Sequence, residues 1–204
     1  MYKRQDNNLV YADDDFGVKC IDTSGNTIWQ CEILGGVSLL QKCHDFIAVV
    51  DTLGRLSTLS HHGNSLKSFD QFTSIIMISP YSNGVIVVLE SGSVHFFDGQ
   101  HSVWNRPARG EVGESITTVG LTAENKLIIG REGYALVPGE EEALELEVWD
   151  VTQDSMLFRC EIKNRLLLAC DDNKATYLGF DDGSVHQLTY QSDYTLSLIH
   201  ISEP

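Results

Sequence analysis

The sequence is poor in basic side chains, poor in proline and empty of long apolar runs. Its 14 lysines and arginines face 29 aspartates and glutamates, giving a formal charge of -15 at pH 7. Such a surface repels nucleic-acid backbones and anionic lipid headgroups, so no nucleic acid and no membrane is expected as a partner. A protein or peptide with a basic face fits better. No stretch approaches the roughly 18 apolar residues a spanning helix needs, and residues 1–8 are polar, without the apolar centre of a leader peptide. A soluble, cytoplasmic protein is the expectation.

The five cysteines are odd in number and include no C-x-x-C pair, which argues against a disulfide framework and against a zinc ribbon. They read as reduced and mostly buried. There is no G-x-S-x-G elbow, no H-E-x-x-H and no glycine-rich phosphate loop. No enzymatic activity, cofactor or metal is therefore expected. Only four prolines stand against 17 glycines, and 42% of residues are hydrophobic, the composition of a folded globular chain.

What the chain does have is an internal repeat. A short apolar run ends in a turn glycine and a second run follows, at Gly17, Gly54, Gly92, Gly133 and Gly183, spaced 37, 38, 41 and 50 residues apart. A second set of markers closes the following run, at Asp22, Ser60, Asp98, Asp150 and Thr189, spaced 38, 38, 52 and 39. The two sets agree on a period near 38. In the fourth unit about 11 extra residues separate glycine from second marker, and the excess falls near residues 134–143 (YALVPGEEEA).

One clean unit shows why these runs are strands. Residues 74–79 (SIIMIS), a PYSNG turn, 85–89 (VIVVL), an ESG turn, 93–97 (SVHFF), a DGQ turn and 102–105 (SVWN) follow one another. Each run is short, rich in β-branched and aromatic residues, and bounded by Gly, Asn, Asp or Ser. No 3.6-residue period lasts long enough for a helix. The unit is a four-stranded meander with strands a, b, c and d. Units are expected near 8–33, 37–70, 74–107, 115–162 and 165–190, the first without a clear a and the last without d. A meander cannot bury both faces alone, so copies must stack, and radial stacking gives an all-β propeller with about four to five blades represented in one domain, 1–195.

The motif LEVWDV (146–151), with FFD (96–98) and CID (20–22) at matching places, resembles the strand c signature of WD40 repeats. The resemblance covers roughly residues 8–190 and implies a propeller that binds other proteins through the loops of its top face. The Gly-His dipeptide that precedes strand a in that family is missing, so its buried histidine network is not expected. The segment DTSGNTIW (22–29) is similar to the docking motif of quinoprotein-like propellers, one residue short between Asp and Gly, and reads as a c-d turn with a packed tryptophan. Residues 196–204 (LSLIHISEP) resemble a translated sequencing adapter, which implies a natural chain cut after about Thr195, an incomplete propeller and a non-native tail.

The acidic clusters Asp13-Asp14-Asp15, Asp171-Asp172 and Asp181-Asp182 lack calcium-loop spacing and read as turn residues. His61-His62 and Cys43-His44 read as surface turns, because adjacent side chains at a strand end point to opposite faces. The insertion is the most informative departure. In WD40-like topology it shares the top face with the d-a connection RPARG (106–110), and long loops on a rigid scaffold often carry binding function. Arg106, Arg109, Arg131, Tyr134, Glu140, Glu141 and Glu142 are the candidate partner-binding residues. The leading function is a non-enzymatic interaction scaffold. The alternative is a ligand-binding or quinoprotein-like enzymatic propeller whose site lies partly in blades beyond this sequence.

Overall fold

The computed structural model describes residues 2–5, 8–14, 17–69, 71–109, 114–133, 143–172, 175–190 and 196–200, with side chains omitted at 2–5, 66, 189–190 and 196–200. Those residues form strands and turns, and among them no helix is long and apolar enough to cross a membrane. The strands fall into four-stranded antiparallel sheets, each made of consecutive strands in chain order. Hairpin connections alone generate that order.

The chain divides into two compact units, 1–107 and 108–204. The first unit holds three sheets. The first is β1 (Tyr2–Gln5), β2 (Asn8–Asp13), β3 (Gly17–Ile21) and β4 (Thr27–Cys31). The second is β5 (Val37–Lys42), β6 (Ile47–Asp51), β7 (Leu56–Leu59) and β8 (Ser65–Phe69). The third is β9 (Ile75–Tyr81), β10 (Gly84–Leu89), β11 (Val94–Phe97) and β12 (Ser102–Arg106). The second unit holds β13 (Glu114–Leu121), β14 (Lys126–Gly133), β15 (Leu144–Asp150) and β16 (Ser155–Glu161). Its other sheet is β17 (Leu166–Asp171), β18 (Thr176–Phe180), β19 (Val185–Tyr190) and β20 (Leu196–His200).

The middle sheet of the first unit shows why the sequence reads as continuous apolar runs. Ile47, Val49, Leu40 and Leu59 pack against Val10, Val18 and Cys20 of the first sheet. On the other side Ala48, Val50 and Leu56 pack against Ile75, Val85, Val87 and Phe97 of the third. Every residue of β6 is buried. A strand covered on both faces has no reason to alternate polar and apolar residues. Each fully buried Val or Ile contributes roughly 1.5–3 kcal/mol relative to exposure, so these strands carry the stability of the stack. In the second unit Ile128, Leu146 and Val148 meet Leu166, Leu178, Phe180 and Leu188 in the same way.

Both sets of sequence markers acquire a physical meaning. Gly17, Gly54, Gly92 and Gly183 have φ of 95°, 73°, 92° and 84°. A Cβ at Gly54 would also lie 2.7 Å from the Ile75 nitrogen, which itself donates to the Gly54 carbonyl at 3.2 Å. Gly133 is the exception: it ends the extended β14, and its amide donates to the Ala143 carbonyl at 2.9 Å, closing the base of the insertion. Four of the five second markers cap the c-d turns, while the fifth, Thr189, lies within β19. Asp22 Oδ1 accepts from the amides of Ser24 and Asn26. Ser60 Oγ accepts from His62 and Asn64. Asp98 Oδ1 serves Gln100 and His101, and Asp150 Oδ1 serves Thr152 and Gln153. A short side-chain acceptor that satisfies the turn amides is what these positions share.

The turns of one sheet also lock onto the next. Trp29 of β4 donates its indole N–H to the His61 carbonyl at 3.0 Å, in the turn between β7 and β8. Its ring lies against Gly63 so closely that a Cβ there would be 2.4 Å from Cε3. Phe46 lies against Gly99, in the turn between β11 and β12, in the same manner. The DTSGNTIW segment thus forms a c-d turn whose tryptophan docks on the neighbouring sheet. Trp104, its echo in the third unit, packs edge-on against Phe96 of its own sheet, with centroids 5.2 Å apart.

Three boundaries differ from the sequence reading. Strand a of the first unit exists as β1, although MYKRQD carries no apolar run; an edge strand is held by backbone pairing with β2, which composition does not report. Strand d of the last unit also exists. It is β20, paired with β19 from Leu196↔Tyr190 to His200↔His186, inside the segment read as a non-native tail. β9 runs through Pro80 to Tyr81, and the turn is shorter than PYSNG. Proline is tolerated there because β9 is an edge strand of its sheet.

Candidate interaction site

The candidate residues cluster around the joint between β14 and β15, where the sequence inserts residues 134–142. Register brings Arg131 directly opposite Glu145 and Glu147 directly opposite Arg159. Alternation along β15 puts Glu145, Glu147 and Trp149 on one face, while Leu146 and Val148 fill the core on the other.

The result is a charge network within the second unit. Arg131 donates Nε–H to Glu114 and Nη1–H to Glu145. Arg109 donates through Nη1 to Glu147, with Glu145 at 3.5 Å, while its backbone amide donates to Glu114 Oε1 at 2.9 Å. Trp149 Nε1–H donates to Glu147 Oε2 at 2.9 Å, and Arg159 stands 3.7 Å from Glu145. Glu114 is 1% exposed and Glu147 0%. Carboxylates at that depth persist only when each is met by cations and hydrogen-bond donors, and three guanidiniums meet three carboxylates here. Beside them, burial and then the charge of Glu145 push the Cys160 thiol above its usual range, which keeps it protonated and poorly nucleophilic. A further ion pair, Arg165 to Glu132 at 2.6 Å, ties the end of β14 to the segment entering β17.

The structure therefore brings Arg109 and Arg131 together and pairs them with glutamates that sequence reasoning missed. Glu145 and Glu147 had a visible signal: in ELEVW the two carboxylates share a strand face with a tryptophan, and a buried acid demands a base; Glu114, on β13, had none. Arg106 is placed elsewhere, 1% exposed in the first unit, with Nη1 donating to the Gly92 carbonyl at 3.2 Å. Tyr134, Glu140, Glu141 and Glu142 lie outside the described residues.

Other polar clusters have structural occupations. Asp172 accepts the Ala175 amide, Asp181 the Arg165 amide and Asp182 the Ser184 amide. His61 Nε2 lies 2.9 Å from the His44 carbonyl, and Cys43 is buried. Among the described residues, no group of three His, Cys, Asp or Glu side chains is placed to hold a metal. In the first unit a cavity of about 310 Å³ is lined by Cys31, Asp51, Arg55 and Ser57 among others. Its arginine is already paired with Asp51 at 2.6 Å.

No protein-family model matches the chain, and no curated protein matches it. Solved structures do. The WD40 domain of Neurospora crassa Pan2 superposes on all of this chain with a TM-score of 0.66 at 13% identity. The repeat fold is that of a β-propeller. The WD40 propeller domain of Doa1 covers 95% of the chain with a TM-score of 0.65 at 10% identity. Kuenenia stuttgartiensis hydrazine synthase covers 89% with a TM-score of 0.69 at 13% identity. The chain spans 65%, 64% and 61% of the length of these three chains, so it corresponds to part of each propeller-containing structure. Each four-stranded sheet is a blade, and the network at the β14–β15 joint sits where blade b and c strands connect.

Proposed function

We propose that the protein is a non-enzymatic interaction scaffold that uses the β14–β15 end of its propeller blades to bind a protein or peptide with a basic face. The observation that carries this reading is the network rooted at Arg131 and Glu145. It fixes both strands that flank the insertion and consumes the nearby guanidiniums on Glu114, Glu145 and Glu147. The three glutamates of the insertion belong to the 29 acidic residues that set the formal charge of -15, which favours a cationic partner. Rigid roots lower the entropic cost of presenting a long connection. Function in this reading is presentation, without bond-making chemistry.

The test is site-specific photocrosslinking in extracts of the source cells, with the probe at Glu141 or, as a control, at Glu124 in the turn at the opposite end of β14. Adducts to a basic protein from position 141 and none from 124 support the reading. Equal adducts from both positions, or none from 141, overturn it. Deleting residues 134–142 should move the melting temperature by no more than about 2 °C while abolishing co-purification of the same basic protein with the affinity-tagged chain. The rival, an enzymatic propeller, draws on the resemblance of the Trp29 turn to quinoprotein docking motifs and on hydrazine synthase as a fold neighbour.

A further inference from the structure

We propose that the cavity at the joint between the first and second blades receives a long basic side chain of a protein partner, whose flanking apolar residues lie on Leu34 and Leu53. Only the cationic chemistry of the partner is shared with the reading above; the place is different and belongs to the first unit. The cavity, of about 310 Å³, lies between the connection that leaves β4 and the strands β7 and β8. The buried Leu56 and Leu59, with Ile33 and Leu34, give it apolar walls. Ser57 stands opposite Ser68 in register, Ser65 stands opposite Leu59, and the three hydroxyls border the same space as the Glu32 carboxylate. Among the described residues none of these four groups has a hydrogen-bond partner in the chain. Charge decides the occupant. Arg55 also borders the cavity, but its Nε–H and Nη2–H both go to Asp51 Oδ2, at 2.7 and 2.6 Å, while Asp51 Oδ1 accepts the amides of Leu53 and Arg55. That pair is closed, so of the charges lining the cavity Glu32 is the one left uncompensated. Apolar walls with one carboxylate and three hydroxyls suit a lysine, whose aliphatic stem ends in an ammonium with three donors.

The rim is apolar where turn chemistry asks for polarity. Leu53 immediately precedes Gly54, as Ser91 precedes Gly92 and Asp182 precedes Gly183, and all three glycines have positive φ. Ser91 Oγ and Asp182 Oδ1 accept turn amides, those of Ser93 and Ser184. Leu53 offers no acceptor and is 67% exposed; Leu34 is 77% exposed. Thr52 Oγ1 donates to the Gly35 carbonyl at 2.6 Å, so the turn that carries Leu53 is fastened to the connection that carries Leu34. Two exposed leucines on loops fastened together, beside a cavity, are apolar anchors for a partner to cover.

The experiment follows iodoacetamide alkylation of Cys31, which lines the cavity, by mass spectrometry of the full chain after digestion. The probe is acetyl-Leu-Gly-Lys-Gly-Leu-amide, because in an extended segment every second side chain points to the same side. At about 4 mM, with a dissociation constant near 1 mM for so small a contact, it should slow Cys31 alkylation about fivefold and leave the exposed Cys170 unchanged. With norleucine in place of lysine the slowing should fall below about twofold, and with glutamate it should vanish. Glu32→Gln should abolish protection by the lysine peptide, and Leu53→Ser should weaken binding about threefold. Both side chains are exposed, so the variants keep the fold and the melting temperature of the wild type. Deleting residues 134–142 should leave Cys31 protection intact whether or not it removes partner capture, which separates this site from the β14–β15 reading. No protection by the lysine peptide, equal protection by the norleucine peptide, or full protection of Glu32→Gln overturns the proposal.

Discussion

A methyl group placed at Gly63 tests the lock between the first two blades. The position has φ of 79°, and the added Cβ would lie 2.4 Å from Trp29 Cε3 and 2.6 Å from Cδ2. Left-handed backbone costs a non-glycine residue about 1–2 kcal/mol, and overpacking against a ring held by its own hydrogen bond costs about 1–3 kcal/mol more. Gly63→Ala should therefore destabilise by about 2–5 kcal/mol. In a chain of this size that lowers the melting temperature by roughly 4–20 °C. Replacing Trp29 with Ala removes the obstacle, so in that background Gly63→Ala should cost only the backbone part, about 1–2 kcal/mol. The difference is a coupling of about 1–3 kcal/mol, measurable by urea denaturation of the four corners of a double-mutant cycle, followed by far-ultraviolet circular dichroism because the tryptophan itself is varied. An equal cost of Gly63→Ala in both backgrounds would refute the lock. Trp29→Phe, which keeps the ring but loses the donor to the His61 carbonyl, should cost about 1 kcal/mol.

Two other outcomes follow from the charge arrangement. Arg131→Met leaves the buried Glu114 and the half-buried Glu145 without their shared guanidinium and should destabilise by about 3–5 kcal/mol, with part of the loss recovered by adding Glu114→Gln; an unchanged denaturation midpoint would show the pair to be dispensable. Asp51 is pushed up by burial, but hydrogen bonds from Arg55 and from the Leu53 amide more than compensate and hold its carboxyl below the usual range. A depressed folded value means that its contribution is complete above the unfolded value of about 4 and is lost as pH falls through the folded one. Asp51→Asn should flatten the decline of melting temperature below about pH 4, relative to the wild type, and a parallel decline would contradict the assignment.

Much of the architecture was legible because propeller blades speak in turns. Asp22, Ser60, Asp98 and Asp150 stand out in the sequence as recurrent markers, since satisfying turn amides requires a short acceptor at a fixed offset. β6 and β10 announced themselves as unbroken apolar runs because both of their faces are covered. β1 and β20 did not, because edge pairing asks little of side chains and their runs are polar or sit in a segment that resembles foreign sequence. Among the candidate site residues, Arg109 belongs to the d-a connection expected on the same face as the insertion and Arg131 stands just before the insertion, but neither position shows that they serve buried acids. Glu114 lies 31 residues before Glu145, and only the pairing of β13 with β14 and of β14 with β15 brings both to Arg131. Arg106 stood beside Arg109 in the same connection, yet it enters the first unit as a buried donor.

The aromatic-on-glycine contacts bear on how such repeats can be recombined. Because Trp29 belongs to one sheet and Gly63 to the next, the transferable module does not coincide with a sheet. An exchange of the second blade that cuts between β4 and β5 would import a foreign c-d turn beneath a resident tryptophan. The breakpoint that preserves the lock lies earlier, ahead of β4, so that the aromatic travels with the turn it covers. Gene duplication that respected that boundary would keep neighbours compatible while the rest of each blade diverged.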